Sequence, residues 1–135
     1  MWANLWAPTL YSDTAAVMLQ ALRAEGVPRL LAITSSGVEH DPGMSWWYRW
    51  IVRPILRNVY RDMARMERAI EAEPNLRWTL VRPSYLTDGA SAECRVRDRR
   101  CPAGGWWLTR NAVGRFMARE AVASEWVHRH PALAV

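Results

Sequence analysis

Lysine is missing from this 135-residue chain, and all 18 of its basic residues are arginine. That removes an amine general base, a Schiff-base nucleophile and a lysine proton relay from the chemistry open to it. Cysteine is scarce too. Cys94 and Cys101 have no paired Cys or His at a zinc spacing, so no metal site is expected and a reduced, cytoplasmic protein is the plain reading. No apolar run approaches the ~20 residues of a bilayer span, so no membrane partner is expected. The opening MWANLWAPTL has neither the charged n-region nor the apolar length of a signal peptide. There is no internal repeat and no low-complexity segment.

What is present suits one domain over residues 1–135, with half of the residues hydrophobic and a net charge of +5. That charge favours acidic ligands such as nucleotides, phosphates or nucleic acid, without choosing among them. Arg49, Arg53, Arg57, Arg61 and Arg65 recur at every fourth residue. On a helix they form either a solvated face or a face that meets an acidic partner.

The segment LRWTLVRPSYLTDG, residues 76–89, organises the rest. Arg77 to Val81 mix aromatic and β-branched residues as a buried strand does, and the strand is expected to stop at Arg82-Pro83. Turn chemistry follows through Thr87-Asp88-Gly89. A second buried strand is expected at Leu30 to Thr34, ending in Ser35-Ser36-Gly37. Ahead of it a helix runs from about Asp13 to Glu25, capped by Ser12 or Asp13 and closed by Gly26. Asp41-Pro42-Gly43 reads as a turn. From Trp46 the chain reads as helix, kinked or restarted at Pro54, with Val52, Leu56, Val59, Met63, Met66 and Ile70 as its apolar stripe. Residues 90–105 read as a loop and Trp106-Trp107-Leu108 as a short strand. Thr109 caps a last helix to about Ser124 that buries Val113, Phe116, Met117 and Ala121. The tail WVHRHPALAV can add a final strand. His40, His128 and His130 read as surface residues. Helices and strands in alternation predict an α/β fold with a three-layer parallel sheet.

Three blocks in this order, RLLAITSSGVEHDPG, YRDMARMERAIEAEPNLRWTLVRPSYLTDG and WWLTRNAVGRFMAREA, resemble the atypical short-chain dehydrogenase/reductase group. The nearest subgroup is the NAD(P)H-binding, flavin/biliverdin reductase-like and NmrA-like proteins. The resemblance covers most of residues 12–124 and implies a Rossmann-like domain. It also implies NAD(P)H as cofactor and hydride transfer to a small or flavin-like acceptor. By position it places Thr34, Ser35, Arg82, Pro83 and Ser84 beside the cofactor, with Ser36 and Tyr60 as the catalytic candidates.

Two departures shape the expectation. The family's GxxGxxG phosphate loop does not occur among the seven glycines, so the chain reads as the C-terminal part of the fold and is expected to bind the dinucleotide weakly. Tyr60 stands at the family's tyrosine position, but Ala64 stands where the catalytic branch has lysine. Tyr60 is therefore expected to pack rather than act as an acid. Arg82 is expected to touch a phosphate or the nicotinamide amide, or to pair with Asp88 or Glu67. The alternative is a non-catalytic interaction protein with an open sheet edge and a surface rich in its nine tryptophans. Either way a homo-oligomer or a partner chain completing the sheet is expected, and nucleic acid is not.

Overall fold

The computed structural model describes residues 9–39, 46–90 and 93–135. The tryptophans at 2 and 6, His40 and the Asp41-Pro42-Gly43 turn lie outside them. By internal contacts the chain divides into two compact units, Met1–Leu30 with Met44–Arg77, and Leu31–Gly43 with Trp78–Val135.

The first unit is built on two helices, α1 (Leu10–Ala24) and α3 (Arg57–Glu71). Ala15 and Leu19 of α1, Met66 and Ile70 of α3, and Leu76 beyond it are buried. α1 starts three residues earlier than its sequence suggests, and neither expected residue caps it in the usual way. Thr9 holds the cap position without a side-chain bond. The acceptor is instead Asp62 of α3, wholly buried, whose Oδ2 takes the N–H of Tyr11 at 2.8 Å and of Ser12 at 3.4 Å. At the other end Gly26 adopts φ +64, the left-handed turn that glycine makes without strain.

Between the helices Pro54 does restart the chain. Without an N–H, and with a ring that crowds the preceding turn, it widens that turn into a π-helix over Tyr48–Val52. The Arg53 N–H there reaches back five residues to the Tyr48 carbonyl. A three-residue turn, α2 (Arg53–Ile55), follows, and α3 begins after Leu56. The apolar stripe is narrower than its periodicity implies. Val52, Leu56, Val59 and Met63 are half-buried, while Asp62 and Glu67 are buried.

The second unit is organised by a sheet of order β1-β2-β6-β4, made of β1 (Arg29–Ile33), β2 (Arg77–Pro83), β6 (Pro131–Ala134) and β4 (Arg95–Asp98). β2 and β6 are parallel, with Arg82 opposite Ala132 and Pro83 opposite Leu133. β2 ends at Pro83, as expected. Just past it the Ser84 N–H still reaches the Leu133 carbonyl at 3.0 Å, since proline forfeits only its own donor. The predicted loop at 90–105 contains β4, which pairs antiparallel with β6. The sheet is thus parallel except at this edge.

A separate parallel pair, β3 (Tyr85–Thr87) with β5 (Trp107–Thr109), leads into α4 (Arg110–Ala123). The Thr109 hydroxyl caps that helix, accepting from Ala112 N at 3.2 Å. Val81, Leu108, Ala112, Val113, Phe116 and Leu133 form the core, with Met117 partly buried against it. Ala121 is exposed, and the buried position at that end of α4 is Glu120. His130 is buried rather than on the surface, its ring edge-on to Trp78 at 5.1 Å between centroids.

Candidate functional site

The site is assembled where β1 and β2 end. Thr34, the first residue past β1, donates its N–H to the Val81 carbonyl at 2.8 Å, which fixes the β1 end beside the last residues of β2. Thr34 and Ser36 are buried polar residues at this position. Ser35 is in extended conformation and its Oγ accepts from Gly37 N at 3.2 Å. That bond starts a single 3₁₀ turn, Ser36–Val38. The turn carries Glu39 back toward the end of β2.

There it meets Arg82. The Arg82 side chain is 3% exposed, and a guanidinium this far from water needs a counter-charge. Glu39 supplies it, Oε1 lying 3.1 Å from Arg82 Nη1. The same oxygen accepts from Arg99 Nη1 at 2.9 Å, so one carboxylate holds two arginines. Of the two partners expected from sequence, Asp88 pairs with Arg110 at 2.6 Å. Glu39 was the residue that sequence reading missed. Its position, just past the end of a strand adjacent to β2, was the only available signal.

Pro83 and Ser84 complete the β2 end, both buried. Ser84 Oγ has no hydrogen-bond partner among the described residues, although its backbone N–H is satisfied. A buried hydroxyl left unpaired costs about 1–3 kcal/mol, and a ligand polar group would relieve that cost. The structure therefore brings Thr34, Ser35, Ser36, Arg82, Pro83 and Ser84 into one unit. Tyr60 belongs to the other, where its hydroxyl lies 2.6 Å from that of Tyr48. Burial pushes the Cys94 thiol up, against the pull of Arg119, which disfavours the thiolate.

A family model described as NAD(P)H-binding matches residues 4–123. No curated protein matches the sequence. Solved structures do. A short-chain dehydrogenase/reductase from Veillonella parvula, in complex with NADP, superposes with a TM-score of 0.75 at 14% identity, over 93% of this chain and 58% of that one. An oxidoreductase from Lactococcus lactis gives 0.73 at 15%, over 97% and 56%. A Rossmann-fold NAD(P)-binding family protein from Shigella flexneri gives 0.66 at 22%, over 91% and 53%. The chain spans less than two thirds of each of these proteins. At such identities the likeness establishes an α/β Rossmann-like fold, and the family match bears out the NAD(P)H-binding part of the resemblance.

Proposed function

The chain belongs to this NAD(P)H-binding family, and on that footing we propose that it serves as the nicotinamide-side portion of an atypical, NmrA-like reductase. The observation that carries this is the unpaired, buried Ser84 Oγ at the β2 end, next to the Arg82–Glu39 pair. A carboxamide offers both a donor and an acceptor, and either would satisfy that hydroxyl. NAD(P)H, when bound, supplies the hydride to a small or flavin-like acceptor. The residues of this chain orient it: Thr34, Ser35, Arg82, Pro83 and Ser84 would line the cofactor, and the Ser36 hydroxyl would hold the acceptor's carbonyl. Tyr60 shares its hydroxyl with Tyr48 and has no lysine beside it in sequence, so it is assigned a packing role. The fit is good at the nicotinamide end and poor at the pyrophosphate end, where no GxxGxxG is present.

Titration of the chain with NADPH, followed by nicotinamide fluorescence, tests both halves of this reading. Binding is expected, but with saturation well above the low-micromolar range. Ser84→Ala should weaken it about fivefold, the worth of one net hydrogen bond, while leaving the melting temperature equal or higher. Low-micromolar saturation would refute the weak-binding half. An unchanged affinity for the alanine variant would remove Ser84 from the site.

A second reading, an interaction protein, is favoured by one specific observation. Among the described residues β1 is an edge strand, half-buried from Arg29 to Ala32 with Ile33 47% exposed. An unpaired edge of that kind is a template for another strand. Light scattering at micromolar concentration is expected to show a dimer. A stable monomer would sink this reading without touching the cofactor titration.

A further inference from the structure

A cluster of exposed apolar side chains lies elsewhere, on the helical stretch that precedes α3. Trp46, Trp47, Trp50, Ile51 and Ile55 are 71%, 46%, 74%, 54% and 64% exposed. They fall at spacings of one, three and four along successive turns, so they form a continuous surface rather than scattered contacts. Isolated exposed hydrophobics are ordinary, but five large ones in ten residues are not. All of them belong to the first unit.

The stretch of chain that carries this surface is charged with one sign. From Pro42 to Arg61 there is no aspartate or glutamate, whereas Arg49, Arg53, Arg57 and Arg61 all fall in that run. Arg57 and Arg61 are exposed and Arg53 is half-buried. Asp62, the next acid along the chain, is wholly buried and engaged with α1. A protein partner would have to place a carboxylate opposite each of several arginines. An anionic lipid surface presents phosphates at whatever spacing is needed. Tryptophan and isoleucine are the side chains that enter the boundary between headgroups and acyl chains, and arginine the one that stays at the phosphates.

We propose that the Trp46–Ile55 face, with Arg57 and Arg61 at its margin, docks the protein on an anionic membrane surface. This goes beyond the cofactor reading and does not depend on it. It differs from spanning: no helix among the described residues is long and apolar enough to cross a bilayer. The sequence expectation of no membrane partner rested on the want of a span, and a helix lying in the interface needs none.

Co-sedimentation of the full chain with vesicles tests this, comparing phosphatidylglycerol/phosphatidylcholine mixtures with phosphatidylcholine alone. Binding should require the anionic lipid, and tryptophan emission should shift to the blue on binding. A protein of net charge +5 will adhere weakly to any anionic surface, so the variants decide. Trp46→Ser with Trp50→Ser should cut binding at least tenfold, with circular dichroism unchanged because both side chains are exposed. Arg57→Gln with Arg61→Gln should do the same, at about fivefold for each arginine. Arg97→Gln with Arg100→Gln, on exposed residues of the second unit, should cost much less. Three results would overturn the proposal. One is no sedimentation with anionic vesicles. Another is equal binding by the double-tryptophan variant, which would leave only diffuse charge. The third is self-association that the tryptophan variant abolishes, which would assign the face to a second copy of the chain.

Discussion

The two units each bury a carboxylate that gathers backbone N–H groups, yet the two are held in different ways. Asp62 receives the N-terminus of a helix some fifty residues away: Tyr11 N and Ser12 N on Oδ2, and the Ser12 hydroxyl on Oδ1 at 2.6 Å. Glu120 receives the chain that immediately follows its own helix. Glu125 N reaches Oε2 at 3.0 Å and Trp126 N reaches Oε1 at 2.9 Å, with Thr79 Oγ1 at 3.4 Å. Asp62 joins two helices and complements the positive end of one of them. Glu120 folds a turn that already has other support, since Ser124 adopts φ 53 as a left-handed cap and Thr79 Oγ1 also donates to the Trp126 carbonyl at 2.8 Å. Removing a carboxylate should therefore matter more where the backbone N–H groups have no other cap.

The largest effect is expected from Asp62→Ala. It orphans two N–H groups at a helix start that has no side-chain cap of its own, and it leaves a void on α3. A loss of about 3 kcal/mol is expected by urea denaturation. Glu120→Ala should lose about 2 kcal/mol in the same assay, because the left-handed cap and the Thr79 bond persist. Equal losses, or the reverse order, would mean that Asp62 is a passenger in an interface held by Ala15, Leu19, Met66 and Ile70.

The same contrast explains what could be read from sequence. Ser35, Thr109 and Gly26 act within three or four residues of themselves, and the cap, turn and left-handed positions assigned to them are where they fall. The strands β1 and β2 were legible because β-branched and apolar runs have no competing helical period. Asp62 carries no such mark, since its partners are set by which helices meet. Glu39 is the same case at the site: Arg82 was correctly singled out, but its partner follows from the adjacency of β1 and β2, not from spacing. β4 was missed because Arg95-Val96-Arg97-Asp98 is polar, as a strand on an outer edge can be. Ala121 was misplaced by one residue, and a step of one residue turns a helix by about 100°.

The smallest effects come from amide substitutions, and they should reverse the order of the alanine pair. Glu120 uses both of its oxygens for backbone N–H groups. Glutamine has one oxygen, so its NH₂ must face one of those donors, and Glu120→Gln should cost about 1 kcal/mol. Asp62 concentrates both N–H groups on Oδ2 and turns Oδ1 to a hydroxyl. Asparagine can place its oxygen at the first position and its NH₂ at the second. The Ser12 hydroxyl can then accept from it while still donating to the Thr9 carbonyl, which lies 3.1 Å away. Every donor keeps an acceptor, and only the attraction of a negative charge for the helix N-terminus is lost, about 0.5 kcal/mol. Asp62→Asn should therefore be the mildest of the four variants, although Asp62→Ala is the most severe. If Asp62→Asn instead destabilises as much as the alanine variant, the ionised charge itself holds α1 in place, and the hydrogen-bond geometry described for Asp62 is secondary to it.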